Sequence, residues 1–293
     1  MEMYEDAQNV LLDKRKKALF TAMEKYCRED TAVAFSGGAD SSLLLKLACE
    51  CATKQGNEVY AVTVQTELHT QNDLIIAEKV AKETGAFHIV LYVNELEEAG
   101  IENNPENRCY LCKKLLFTKI REEVSRLGEG SILEGTNADD LGMYRPGIRA
   151  IRELGIKSPL AEAGLTKEEV RRLAAAYGIS VAERPASPCM ATRFPYGTRL
   201  DREKMKAAEL GEAYIRSLGF YNVRLRVHED VARIEVDEAS LGQALQHHKE
   251  IMEYMRKLGY RYVALDLEGF RSGSMDEKHI GKKTEDGDND ISK

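Results

Sequence analysis

The stretch VAFSGGADSSLLLKLA, residues 33–48, constrains the fold of this chain more than any other. An apolar run breaks into a glycine pair, crosses an aspartate set among small polar residues, and resumes as an apolar helix. A strand apolar at every position is buried on both faces, which is the condition of a parallel sheet covered by helices. The alternation continues down the chain. EVYAVTV reads as a second strand, followed by a helix from Asn72 to Glu83 that ends at Gly85. FHIVLYV is a third strand, KKLLFTKIREEVSRLG a helix running to its glycine stop, and SILEGTN a fourth strand. In LTKEEVRRLAAAYG, Thr166 and Glu169 form a capping-box signature and Gly178 closes the helix. Residues 5–27 read as a helix with Val10, Leu11, Leu19, Ala22, Met23 and Tyr26 on its apolar face. The expected class is therefore α/β, a parallel sheet with helices on both faces.

Beyond about residue 195 the pattern changes. A charged helix over 201–218 leads to LGFYNVRLRV, then VARIEV, another helix and LGYRYVALDL. The first and last of these share the pattern L-G-aromatic-x-x-V-x-L-x, a faint internal repeat in a small second α/β domain. The expected organisation is a first domain over 1–190, a second over 191–273, and a tail over 274–293 with too little apolar content to fold.

Charge and cysteine use narrow the setting. Lys and Arg number 42 against 49 Asp and Glu, a net charge of −7, which argues against a protein built to grip nucleic acid. The first twenty residues are charged and amphipathic, and no apolar run reaches the roughly 18 residues of a membrane span, so neither signal peptide nor anchor is expected. The chain reads as cytoplasmic, where six cysteines are free thiols, metal ligands or reactive groups rather than disulfides.

The loop after the first strand is an anion cradle by its chemistry. Backbone N–H groups and the positive end of a helix dipole converge there. Gly37 and Gly38 let the backbone approach an anion closely, and Ser36, Ser41 and Ser42 add hydroxyls. Asp40 beside phosphates makes sense where Mg²⁺ lies between them; otherwise it is a helix N-cap after a glycine turn. SGGADS resembles the pyrophosphate loop of the ATP pyrophosphatases, found in GMP synthetases, NAD synthetases and tRNA thiolases, and is not a Walker A motif. The resemblance implies that ATP is split between its α and β phosphates. It also implies an adenine contact at Thr63 and a second loop, EGTNADD at 134–140, offering Gly135, Asn137 and Asp139 to the nucleotide.

A second constellation is NRCYLCKK with ERPASPCMATRFPYG. Cys109 and Cys112 have C-x-x-C spacing, and Cys189 is flanked by Pro185 and Pro188. Alone, such a pair reads as a redox dithiol or half of a zinc site, yet no fourth ligand presents itself for zinc. Cys27, Cys49 and Cys51 read as buried small residues. Three thiolates also suit a 4Fe-4S cluster with one open iron.

These stretches, with EGTNADDLGMYRPGIRAIRELGIKSPLAEAGLTKEEVRRLA and RYVALDLEGFRSGSM, resemble the LarE family of sulfur transferases from about residue 5 to about residue 275. The resemblance implies a step in making the nickel-pincer nucleotide cofactor of lactate racemase. The carboxylates of pyridinium biscarboxylic acid mononucleotide are activated by ATP and converted to thiocarboxylates. The family supplies sulfur in two ways: from a sacrificed cysteine that becomes dehydroalanine, or from sulfide on a 4Fe-4S cluster held by three cysteines and replenished by a sulfide source. Cys189 belongs to both routes; Cys109 and Cys112 favour the cluster.

The substrate is anionic, so fixed cations are expected around it. Arg193, the pair Arg224 and Arg226 on one strand face, and Arg145 are the candidates, although two arginines side by side also suit a solvated edge. The family resemblance implies a homohexamer. Two rivals remain at this stage: a tRNA thiolase, disfavoured by the acidic balance, and a nucleotide-binding redox sensor without catalysis.

Overall fold

The computed structural model describes residues 2–128, 130–142, 146–271 and 273–275, with side chains from residue 9 onward. The chain divides into two compact units, Met1–Met190 and Ala191–Lys293. Arg145, and from residue 276 the tail expected to be unfolded, lie outside the described residues.

The first unit runs α1 (Glu2–Tyr26), β1 (Thr31–Ala34), α2 (Ala39–Gln55), β2 (Val59–Gln65), α3 (Gln71–Thr84), β3 (Phe87–Tyr92), α4 (Glu95–Glu98), α5 (Arg108–Leu127), β4 (Ser131–Leu133), α6 (Ala138–Leu141), α7 (Gly147–Glu153), α8 (Pro159–Glu162) and α9 (Lys167–Ala176). Its four strands are all parallel, in the order β3-β2-β1-β4. The α/β class expected from the alternation is the one observed. The strand order decides where a ligand sits. β2 lies on one side of β1 and β4 on the other, so the loops leaving β1 and β4 diverge around the crevice at a topological switch point.

Leu43, Leu44, Leu45 and Leu47 are all buried, because α2 packs against β1 and β2 and is covered by α1, α3 and α9. Burial of each such leucine contributes roughly 1.5–3 kcal/mol, while Lys46 and Glu50 pair on the helix's partly exposed side. That burial fixes the N-terminus of α2 at the crevice. Two boundaries differ from the sequence reading. Helix α5 starts at Arg108 rather than Lys113, so both cysteines of the C-x-x-C pair lie within its first two turns. SILEGTN leaves the sheet after Leu133, where the Glu134 N–H turns to donate to the Lys157 carbonyl.

The second unit comprises α10 (Arg202–Ser217), β5 (Val223–His228), β6 (Val231–Val236), α11 (Leu241–Gln246), α12 (His248–Lys257) and β7 (Tyr262–Leu265). Its sheet order is β5-β6-β7, with β5 antiparallel and β7 parallel to β6. Gly219 and Gly259 of the L-G-aromatic repeat both take positive φ, and each is followed by a buried aromatic, Phe220 and Tyr260. Among the described residues, no helix is long and apolar enough to cross a membrane.

Candidate active site

Three helices of the first unit, α3, α6 and α9, begin with complete capping boxes. Helix α2 does not: its N-cap is Gly38 and no side chain caps it. Asp40 sits within the first turn rather than serving as the cap. The N–H groups of this turn are thus left for a ligand, which is the condition for anion binding. Gly37 takes φ +67°, and a Cβ there would lie 3.0 Å from the backbone of Ala77, so α3 wedges the loop shut behind it. Ser41 Oγ lies 3.2 Å from Ser36 Oγ and donates to the Gly38 carbonyl, tying the loop's two ends together. The Ser42 hydroxyl is buried without a hydrogen-bond partner. Thr63, at the end of β2, donates to the Phe35 carbonyl at 2.8 Å and meets His88 Nε2 at 2.8 Å.

Asp40 is the electrostatic centre of the loop. One carboxylate oxygen accepts from Lys167 Nζ, and the other is buried with no partner. An unpartnered carboxylate oxygen at an anion cradle suits a hard cation such as Mg²⁺. The loop after β4 presses against this turn. A Cβ on Gly135 would lie 3.1 Å from both Asp40 Cβ and the Ser41 nitrogen. Asn137 accepts from the Asp139 and Asp140 N–H groups as N-cap of α6, and Asp139 accepts from the Lys167 N–H at 2.8 Å. Both side chains hold the loop's own shape.

The cysteines occupy the same unit. Cys109 and Cys112, three apart on α5, share a helix face. The Cys112 thiol is pushed well above its ordinary value by burial, by the Glu95 carboxylate beside it, and by Cys189. The proline-flanked loop thus comes within electrostatic range of the C-x-x-C helix. Glu95 is fully buried; one oxygen accepts from Thr66 Oγ at 2.6 Å and the other has no oxygen or nitrogen donor. Among the described residues, no three His, Cys, Asp or Glu side chains are gathered as around a metal ion. The donor chemistry nonetheless suits an iron–sulfur centre: Cys109, Cys112 and Cys189 form no disulfide and each keeps some exposure. Cys27 and Cys51 are buried as expected, while Cys49 keeps partial exposure.

The loop bearing Cys189 is anchored to the phosphate loop. Arg184 donates to the Gly37 carbonyl at 3.3 Å and pairs with Asp73, the capping-box partner of Thr70 at the start of α3. Ser187 donates to the same carboxylate at 3.3 Å, and the Met190 N–H donates to the Leu68 carbonyl at 2.9 Å.

In the second unit, Arg193, Arg224 and Arg226 are buried rather than forming a solvated edge. Arg193 is bidentate to Glu212 at 2.8 and 2.9 Å, and Arg226 donates twice to one oxygen of Glu235, at 3.0 and 2.8 Å. Arg224 donates to the Val223 carbonyl and lies over the Phe270 ring, 5.1 Å from its centroid. Burial, then the charge of Arg193, bring its pKa down to about 10. Lys167, Arg184, Asp73, Glu95 and His88 escaped sequence reasoning. The capping-box reading drew attention to the helix that Lys167 begins, but nothing local marks the target of its side chain.

The uncapped helix at the end of a parallel strand, with an aspartate where a Walker loop has lysine, defines a PP-loop ATP-binding protein, and the PP-loop domain family matches residues 11–128. The chain is 38% identical over 262 residues to pyridinium-3,5-bisthiocarboxylic acid mononucleotide synthase of Lactiplantibacillus plantarum, covering 89% of this chain and 94% of that one. It is 37% identical over 245 residues to an uncharacterized protein of Synechocystis sp., covering 83% and 90%. A tRNA-specific 2-thiouridylase of Rickettsia conorii is 26% identical over 221 residues, covering 61% of this chain and 58% of that one. This chain belongs to the LarE family and is an ATP-dependent sulfurtransferase.

Proposed function

We propose that this enzyme adenylates the carboxylates of pyridinium-3,5-biscarboxylic acid mononucleotide with ATP and converts them to thiocarboxylates, in the biosynthesis of the nickel-pincer nucleotide cofactor. The observation that carries the reading is that Arg184 ties the loop bearing Cys189 to the phosphate-binding Gly37, while Cys189 lies within electrostatic range of Cys112. Sulfur chemistry and phosphate chemistry are joined in one unit. Likeness over nearly the full length of a synthase of the bisthiocarboxylic product supports the choice of substrate.

In this mechanism the N–H groups of the uncapped α2 turn and the hydroxyls of Ser36, Ser41 and Ser42 hold the polyphosphate. Thr63 borders the adenine, and Gly135, Asn137 and Asp139 form the loop that closes over the nucleotide. A substrate carboxylate oxygen bonds to the α-phosphorus while the bond to the bridging oxygen breaks and its electron pair leaves with pyrophosphate. Donors already in place stabilise the growing charge. Asp40 would hold Mg²⁺ with its unpartnered oxygen; the metal supplies charge neutralisation there. Cys109, Cys112 and Cys189 would hold a 4Fe-4S cluster, which supplies sulfide as the nucleophile toward the activated carbonyl carbon. The sacrificial route needs only Cys189 and leaves Cys109 and Cys112 without a role. Arg193, Arg224 and Arg226, with Arg145, serve the substrate's phosphate and carboxylates. A homohexamer in the cytoplasm, fed by an external sulfide source, completes the reading.

The test is anaerobic purification with iron and acid-labile sulfide assays on wild type and Cys109→Ala, followed by turnover with ATP and the biscarboxylate. Iron in the wild type, lost in the variant, with AMP and thiocarboxylate produced over many turnovers, is expected. An iron-free protein whose Cys189 loses the elements of H₂S would replace the cluster by self-sacrifice. No AMP at all would end the proposal.

A further inference from the structure

Thr63 Oγ makes two contacts of 2.8 Å, one to the Phe35 carbonyl and one to His88 Nε2. A hydroxyl has one proton to give. The carbonyl oxygen can only accept, whereas an imidazole nitrogen can donate or accept. The hydroxyl proton therefore goes to Phe35, and His88 Nε2 carries its own N–H toward Thr63. The reverse assignment would set the lone pairs of Thr63 and Phe35 face to face. Burial holds His88 below the ordinary histidine value, so near neutral pH the ring carries one proton, and that proton is on Nε2. The Phe35 ring meets the imidazole edge-on, with 84° between the planes and 6.1 Å between centroids, and fixes its orientation. Thr63 Oγ is left with a lone pair and no proton, so toward a third group it is an acceptor only. Phe35 immediately precedes Ser36, and the bond to its carbonyl pins that acceptor to the root of the phosphate loop.

We propose that this locked acceptor selects the nucleobase, taking the 6-amino group of adenine and rejecting the 6-oxo group of hypoxanthine or guanine, with His88 as the positioning residue that holds it. The inference deepens the reading that Thr63 borders the adenine, and rests on it. Adenine presents an N–H donor at position 6, where a 6-oxo purine presents an acceptor. A 6-oxo oxygen would meet Thr63 lone pair against lone pair, and Thr63 is buried, so no water relieves the mismatch. Without the His88 N–H, Thr63 keeps one tie instead of two, and its hydroxyl is free to turn the proton toward a 6-oxo group.

Isothermal titration with three nucleotides tests this: ATP, ITP with its 6-oxo group, and purine riboside triphosphate, which has hydrogen at position 6 and keeps the N1 lone pair. Wild type should bind ITP about 10- to 100-fold more weakly than ATP, with the purine nucleotide between them. His88→Leu should narrow the ATP-to-ITP ratio to below about tenfold, and His88→Gln, whose amide can donate to Thr63, should keep more of it. A histidine that only fills space would leave the ratio unmoved. Equal affinity of wild type for all three nucleotides, or an unchanged ratio in His88→Leu, overturns the proposal. Thr63→Val separates it from the reading beneath. If that variant binds both ATP and ITP as wild type does, Thr63 does not border the base; if it changes the ratio and His88→Leu does not, only the role of His88 fails. A measurement on wild type guards against misfolded variants: the ring nitrogen-15 resonances of His88, assigned by their loss in His88→Gln, should report the Nε2–H tautomer with and without α,β-methylene-ATP. An Nδ1–H tautomer overturns the proton assignment and the proposal with it.

Discussion

Arg184 pairs with Asp73, so the loop that presents Cys189 is clamped to the N-terminus of α3, and the same guanidinium donates to the Gly37 carbonyl in the phosphate loop. Two hydrogen-bonding arms of one planar group thereby set the distance between the sulfur-bearing loop and the nucleotide loop. Arg184→Met should uncouple them. Thiocarboxylate formed per pyrophosphate released is expected to drop at least about tenfold, because small misplacements of reacting groups are costly. Lysine at this position, able to reach only one partner, should give an intermediate ratio. Equal losses in both half-reactions would show that Arg184 supports the fold and not the coupling.

The glycines at the crevice are there for clearance. Gly135→Ala forces a methyl against Asp40 and Ser41, which are held by α2 and cannot retreat. Gly37→Ala meets both a positive φ and the Ala77 backbone, a strain of about 1–2 kcal/mol before any clash. Both variants should lose ATP affinity by isothermal titration, Gly37→Ala also melting at lower temperature. Gly155→Ala, whose φ is +72° with open space around it, controls for backbone strain alone and should bind ATP normally.

Acid should weaken the second unit through Glu212. Burial alone would raise this carboxyl, but Arg193, Arg216 and Arg224 hold it down at about 2. A folded pKa below the ordinary 4.5 means that the stabilisation is complete above about 4.5 and is lost as pH falls toward 2. Its size is on the order of 3 kcal/mol. Urea unfolding followed between pH 7 and 2.5 should show this acid limb. Glu212→Gln should flatten it while costing about 3–5 kcal/mol at neutral pH, since the arginines are left buried without their counter-ion.

Thiol labelling should sort the cysteines. Burial lifts Cys27 and Cys49 to about 11, against an ordinary 9. At pH 8 their thiolate populations fall about 100-fold, and alkylation by iodoacetamide in the native protein should slow by a similar factor. Peptide mass analysis should find these two unmodified after the same exposure that labels all six cysteines in urea. Rapid native labelling of Cys27 would contradict the burial seen here.

What the sequence by itself determined is local. Apolar runs named β1 and β2, Thr166 and Glu169 foretold the start of α9, and the glycine pair marked an anion loop, because each depends on backbone preferences of adjacent residues. Local rules blur where two partners compete for one backbone: SILEGTN reads as a strand throughout, yet Glu134 turns away to Lys157. The C-x-x-C pair was visible as a motif, but its place within the first two turns of α5 was not. Only tertiary structure brought Lys167 onto Asp40, Cys189 within electrostatic range of Cys112, and Arg184 onto Gly37. These contacts join residues far apart in the chain, and no pattern of neighbours encodes them; they exist because β4 pairs with β1 and opens the crevice between their two loops. The arginines of VRLRV carry the same lesson. Their period-two spacing was plain, while their burial beside Glu212 and Glu235 depended on how α10 and β6 pack against that strand.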